Sequence, residues 1–349
     1  KRIKLIMAYT TINKSTDYFN TVTYSGNGSN NHTITGVGFN ADFVWNKIRN
    51  GTDDHRLFDQ VRGINKFWKS NSTAIETTDA ILTTNSDGYV LTNAGEVNSG
   101  SGTYVGWNWK ANGSGSSNSN GSMTATASAS TVSGFSIVNY LGNGSNGASF
   151  GHGLGVKPKV VFIKNRSTAK NPVWWQDTDD DGTSNQRLVL SGTGSNLNNY
   201  HVTFGTDTIT LGNTDDAWNK AGDNFIAYCF AEKTGFSKMD YYVGNGNASG
   251  PFIYTGFKPA WIINKRIDSS GNWMLIDNKR LGYNPAQRDL RPNLNNAEGN
   301  DETFDFYSNG FKVRTTSNDF GGGSGAVYIY MAFAEAPLVG SNNIPATAR

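Results

Sequence analysis

The sequence predicts an all-β protein of three tandem repeats, each a β-sandwich or jelly-roll-like unit of about 100 residues. Three observations carry this expectation. A first signature, YSGNG at Tyr24, returns as YLGNG at Tyr140 and YVGNG at Tyr242, each followed by an apolar run: ADFVWNKIR, KPKVVFIKNR and KPAWIINKR. A second signature closes each copy: TYVGWNWKA from Thr103, NFIAYCFAE from Asn224 and VYIYMAFAE from Val327. The spacing also repeats, since Tyr24 to Tyr104, Tyr140 to Phe225 and Tyr242 to Tyr328 are 80, 85 and 86 positions apart.

The closing signature alternates with period two, as a strand in a sheet with one buried face does. Val105, Trp107 and Trp109 share a face, matched by Ile226, Tyr228 and Phe230 and by Ile329, Met331 and Phe333. The opposite face holds small or polar residues such as Gly106, Asn108 and Ala227. Between the signatures lie HRLFDQV from His55, PVWWQDT from Pro172 and NWMLIDN from Asn272, each with an aspartate 12 or 13 positions after a lysine. A further strand ends each unit at Leu91, Leu211 and Val313, and Asp87-Gly88 and Asn309-Gly310 are tight-turn pairs. Helical periodicity is nearly absent; NSTAIETTDAIL from Asn71 is read as a short helix or a loop with a helical turn.

These patterns divide the chain into a leader (1–16), a first repeat (17–111), a Gly/Ser/Asn-rich linker with a candidate edge strand (112–133), a second repeat (134–235), a third (236–337) and a tail (338–349). The tract NGSGSSNSNGS reads as a flexible connector setting the first repeat apart, while the second and third, lacking a spacer, are expected to pack as a pair. The leader KRIKLI is too short for a secretion signal, and translation is expected to begin at Met7.

Thirty basic and 28 acidic residues are spread along the chain, giving a net charge of +2 that implies no nucleic acid or other polyelectrolyte partner. The single cysteine, Cys229, rules out an intramolecular disulfide framework and is expected to be structural. No apolar run is long enough for insertion into a membrane as a helix.

The candidate chemistry is sparse. DTDDDG places Asp177, Asp179 and Asp181 at alternate positions before a glycine, the opening of a calcium loop. The twelfth position is Leu188 where a closing acid is needed, so an exposed acidic hairpin tip is the favoured alternative to a calcium cofactor. Trp174 and Trp175 are neighbours on a strand, so one ring is a candidate sugar platform, whereas Trp45, Trp107, Trp109 and Trp261 read as core. Lys47, Lys164 and Lys265, with Arg49, Arg166 and Arg266, are read first as partners of Asp59, Asp177 and Asp277 and second as contacts for anionic glycans. His32, His55, His152 and His201 share no repeat position and read as surface or turn residues; GHGLG from Gly151 precedes a strand, not a helix, and lacks the phosphate-cradle context. No catalytic residue is assigned.

Taken as an ordered set, MAYTTINKSTDYFN, YSGNG, HRLFDQVRG, YVGWNWKA, GHGLGVKPKVVFIKNRS, FIAYCFAE and YTGFKPAWIINKR resemble a tandem-repeat family of virion proteins in marine tailed bacteriophages. The resemblance spans nearly the whole chain from Met7. It implies a non-enzymatic particle component: a tail fibre, spike or capsid decoration protein on the exposed virion surface. Expected partners are other virion proteins, further copies in a homo-oligomer and a host-surface glycan. The alternatives are a polysaccharide-degrading tail spike, which needs an acidic pair in a groove lined by exposed tryptophan, and a bacterial surface adhesin. The three repeats are also expected to mimic a threefold arrangement within one chain.

Overall fold

The structure, a computed structural model, describes residues 9–184, 187–197, 201–301, 303–339 and 345. Met7 and most of the leader therefore lie outside the described residues. The chain is nearly all β, in six antiparallel sheets that group as three pairs. We call each pair a lobe.

The large sheet of every lobe has one order. An opening strand (Phe19–Ser25, Phe135–Leu141 or Ser237–Val243) lies beside the closing strand (Thr103–Trp109, Asn224–Phe230 or Val327–Pro337). Next comes the lysine strand (Phe43–Ile48, Val160–Asn165 or Phe257–Arg266), then the aspartate strand (Arg56–Asp59, Val173–Gln176 or Trp273–Asp277). The small sheet likewise repeats, with a central strand (Gly88–Leu91, Thr208–Leu211 or Gly310–Val313) between a strand from early in the lobe and one from just before it in sequence. The registers agree as well: Trp45 faces Trp107, Phe162 faces Tyr228, and Ile263 faces Met331.

The glycines of the Tyr-x-Gly-Asn-Gly signature have two different jobs. Gly28, Gly144 and Gly246 sit at φ of 69°, 68° and 70°, where a side chain is strained. Gly26 and Gly142 are close-approach positions, since a Cβ would lie 2.1 Å from the Ser99 carbonyl oxygen or 2.3 Å from that of Lys220. The signature tyrosines stack on the closing strand at 5.1 Å in all three lobes, on Tyr104, Phe225 and Tyr328. Their hydroxyls donate to the carbonyls of Val97, Trp218 and Phe320, which pins the loop that follows the small sheet.

Period-two alternation predicts one buried face, but both faces of the large sheets are buried. The bulky face carrying Trp107 and Trp109, Tyr228 and Phe230, and Met331 and Phe333 belongs to a core shared by all three lobes. The small face packs inside its own lobe, where bulk comes from the other sheet; a Cβ on Gly106 would lie 2.3 Å from the Tyr89 hydroxyl. In the shared core Trp109 touches Phe19 and Phe43 of its own lobe, Phe230 of the second, and Trp261 and Phe333 of the third.

Two expectations about organisation are corrected by this core. The first lobe is not set apart, and the second and third are not a separate pair. Nor is the Gly/Ser/Asn tract a free connector: Ser116–Asn118 pairs with Ala125–Ser130, which pairs with the opening strand of the second lobe, adding two strands to that sheet. Small polar side chains do not prevent ladder formation, because the bonds are made by the backbone. The segment from Asn71 forms no helix; it contains the two-residue strand Thr77–Thr78, and Ile81–Asn85 follows, while the one α-helical turn among the described residues is Gly95–Asn98. No helix among the described residues is long and apolar enough to cross a membrane.

Candidate functional site

The lobes meet at three junctions, and the contacts run in a cycle. At the first, between the second and first lobes, the Tyr228 hydroxyl donates to Asp59 at 2.6 Å, and the Trp68 indole donates to Tyr228. Asp59 also takes the buried Arg62 guanidinium and the Arg62 backbone N–H. At the second, between the first and third lobes, Trp107, at the position of Tyr228, donates its indole N–H to Asp277 at 2.9 Å. There Asp277 is paired with buried Arg280, three residues on, as Asp59 is with Arg62. Each of these two junctions is closed at its rim by an arginine fork: Arg166 on Glu76 at 2.8 Å, and Arg49 on Glu298 at 2.9 Å.

The third junction, between the third and second lobes, breaks the pattern at every one of these positions. The residue matching Tyr228 and Trp107 is Met331, which donates no hydrogen bond. Asp177 has Asp180 where Asp59 and Asp277 have arginine, and takes Lys157 at 3.2 Å instead. Its Oδ1 is buried without a hydrogen-bond partner. Ile267 stands where Arg49 and Arg166 do, its backbone N–H donating like theirs to the first residue of the closing strand, and has no guanidinium to make a fork; Arg266, one position earlier and opposite Tyr328, turns back onto Asp268 of its own lobe through two bonds of 3.0 Å. Those bonds hold the Asp268 carboxyl below the usual carboxylate range. Asn139, which accepts from Arg166 in the second lobe, is replaced by Tyr241.

What holds the third junction is backbone, an indole and a side-chain amide: Asn196 N–H to Ile267 O at 3.1 Å, Gly271 N–H to Thr193 O at 2.9 Å, Trp273 Nε1 to Val189 O at 2.9 Å, and Gln176 Nε2 to the Asp240 and Tyr330 carbonyls at 3.0 and 3.3 Å. Where the arginine fork is missing, a cleft of about 490 Å³ opens, lined by Thr178, Asp179, Ser195 and Asn196 from one lobe and Tyr241, Ile267, Asp268 and Val327 from the other. Tyr241 is 48% exposed. The cleft carries two carboxylates, hydroxyl and amide groups, an aromatic ring and an apolar floor. It was not legible as a site because its walls come from segments that are remote in sequence; the signal present was Ile267, two positions after Lys265, where the other two lobes have arginine two positions after the lysine.

The residues singled out from sequence fare differently. Trp174 and Trp175 are both buried, so neither is a sugar platform. Trp174 stacks on Phe162 at 5.3 Å in the shared core and Trp175 packs edge-on against Trp218 inside the lobe. Asp177, Asp179 and Asp181 do not converge: Asp177 is buried on Lys157 and the Gly182 N–H, while Asp179 and Asp181 are exposed and Asp181 accepts from Thr183. Among the described residues no group of three or more carboxylate, histidine or cysteine side chains is arranged to hold a metal ion. The histidine expectation is half corrected, since His55 and His152 are fully buried; His55 accepts the Trp45 indole N–H at 2.9 Å. Cys229 is a buried free thiol.

The repeated lysines are not partners of the repeated aspartates. Lys47, Lys164 and Lys265 are buried on the shared-core face, and their ammonium groups donate to backbone carbonyls: Ile48 and Gly51, Thr73 and Lys170, and Arg266. Desolvation pushes all three down to about 8. Their folded pKa lies below the unfolded value of 10.5, so between about pH 8 and pH 10.5 the unfolded chain binds more protons and stability rises with pH. Burial raises the Cys229 thiol, whose ordinary value is 9.0, and so works the other way in the upper part of that window. The lysine effect is therefore read as a difference: the change in Tm from pH 8 to pH 9.5 is expected to be more positive for the wild-type chain than for the Lys47→Met/Lys164→Met/Lys265→Met variant. Equal slopes would show that the three amines keep their ordinary pKa.

The comparisons with known proteins give a family and nothing more specific. No curated protein and no solved structure matches the chain. A family described as a domain of unknown function, DUF7483, matches residues 14–337, which takes in all three lobes from the first short 3-10 turn to the end of the last closing strand. With nearly all of its length inside that match, the chain belongs to the DUF7483 family.

Proposed function

We propose that the chain is a non-enzymatic structural component of a tailed-phage particle: a fibre, spike or decoration module on the exposed surface, assembled with other virion proteins and further copies of itself, and offering a contact surface to host glycans. The observation that carries this reading is the shared core. Three equivalent lobes are closed in a cycle about buried aromatic side chains, with arginine forks at two rims. That arrangement yields a rigid module without an intramolecular disulfide, which suits an extracellular particle surface. The resemblance to virion repeat proteins supplies the particle, and the open third junction supplies a place for a ligand.

A polysaccharide-degrading spike receives no comparable support. Its groove needs exposed tryptophan, and all nine tryptophans are buried. The test is to purify particles from an infected culture and locate the chain by mass spectrometry and immunogold labelling. The proposal expects the chain in stoichiometric amount on the particle exterior; absence from purified particles overturns it.

A further inference from the structure

We propose that the cleft at the third junction is a saccharide site, selective for sugar residues without a carboxylate, with Tyr241 as its stacking platform. This deepens the reading of the chain as a host-facing surface module and rests on it.

The argument begins with what the other two junctions do at the same place. There, an arginine just past the end of the lysine strand crosses to a glutamate of the neighbouring lobe and fills the rim. At the third junction three changes together empty it. Ile267 stands in the place of the fork arginine, and Arg266, one position earlier, is held by Asp268. The neighbouring lobe offers Ser195 and Asn196 in the stretch where the others supply Glu76 and Glu298, and the asparagine that steadies Arg166 is replaced by Tyr241. The volume of about 490 Å³ falls in the range of small-molecule sites, roughly 300–1,000 Å³.

The lining decides the ligand class. A pyranose ring has an apolar C–H face and a rim of hydroxyls. It needs an aromatic ring to lie on and short polar groups of both donor and acceptor kind around it. Tyr241, with Ile267 and Val327, supplies the apolar surface; Thr178, Ser195 and Asn196 supply hydroxyl and amide groups. The carboxylates of Asp179 and Asp268 accept from sugar hydroxyls, and charge-assisted bonds of that kind are the stronger ones. Arg266 offsets the charge of Asp268, whereas Asp179 is exposed and takes a 3.4 Å bond from the Thr178 hydroxyl. Among the described residues, the lining therefore carries a net negative charge and no cationic side chain. A uronic or sialic acid would meet like charge with no arginine to receive it, whereas a neutral or amino-bearing sugar would not.

The test titrates the full chain with three probes by isothermal calorimetry and by heteronuclear NMR shifts: an N-acetylglucosamine trimer, the corresponding glucosamine trimer and a galacturonate trimer. The expected result is binding of the first two, with the glucosamine trimer gaining as salt is lowered, and at least tenfold weaker binding of the galacturonate trimer. Tyr241→Ala is expected to weaken binding about tenfold with an unchanged Tm, and Asp179→Asn to remove the advantage of the amine. Binding of all three probes alike, or binding unaffected by both substitutions, would overturn the site; so would the absence of binding by any probe. These failures are distinct from that of the particle proposal, since the chain can be found on purified particles while none of the trimers binds.

Discussion

Asp59→Ala is expected to lower the unfolding free energy by about 3–5 kcal/mol, the cost typical of removing one partner from a fully buried ion pair. Asp59 and Arg62 have no exposed side-chain surface, and the Asp59 carboxylate takes the guanidinium, the Arg62 backbone N–H and the Tyr228 hydroxyl of another lobe. Without it the guanidinium keeps only the Leu57 carbonyl at 2.9 Å and distant contacts to Tyr228 at 3.4 Å and Glu76 at 3.5 Å. An uncompensated buried charge is what makes the loss large, more than the missing bonds. Chemical denaturation of Asp59→Ala, Arg62→Leu and the double variant separates the two. The double variant is expected to be less destabilised than the sum of the single ones. A loss below about 1 kcal/mol for Asp59→Ala would place the pair in a solvated setting and refute the burial.

The second large effect is Trp109→Ala, expected to cost about 3–5 kcal/mol from the lost burial and the cavity left behind. Among the described residues, Trp109 is the one tryptophan whose ring meets aromatic rings of all three lobes. Its indole nitrogen is buried without a partner, so the N–H contributes nothing that phenylalanine would lose. Trp109→Phe is therefore expected to cost clearly less than Trp109→Ala, and the other two lobes carry Phe230 and Phe333 at that position. The check is the unfolding midpoint of both variants measured alongside the wild type; equal losses for Phe and Ala would contradict the packing described.

Much of this fold is legible in the chain. The two signatures mark the opening and closing strands, the alternation identifies the apolar face of Trp107, Tyr228 and Met331, and the apolar run after the second opening signature contains the buried strand Val160–Asn165. The partner of that apolar face is not legible. Alternation reports that a face is buried, not whether it faces its own lobe or another, and the contacts that settle it join residues as far apart as Asp59 and Tyr228, separated by 169 positions. The same geometry explains Trp174 and Trp175. In a sheet between two cores, neighbouring side chains point opposite ways and both are buried, so alternation carries no information about exposure. The interval between lysine and aspartate is real, but it reflects two adjacent strands in fixed register. Adjacent strands did not make them ion partners: Asp59 and Asp277 found arginines three residues on, and the lysines found carbonyls.

For the third junction, the sequence holds the cause of the difference without the location. Arg62 and Arg280 follow their aspartates by three positions, and Asp180 stands in that place in the second lobe. The irregularity reads at first as a metal loop because acids cluster there. In the folded chain it marks the junction that lacks the buried aspartate–arginine pair, and the unpartnered Oδ1 of Asp177 is a trace of the same loss.

The central claim is that the three lobes fold as one unit around a shared core. Native-state hydrogen exchange read by mass spectrometry across a guanidinium series tests it most directly, by following the closing strands Thr103–Trp109, Asn224–Phe230 and Val327–Pro337 together. The account predicts that all three exchange through one opening with the same free energy and the same denaturant dependence. Early, separate opening of Thr103–Trp109 while the other two stay protected would mean that the first lobe is an independent domain, and would contradict it.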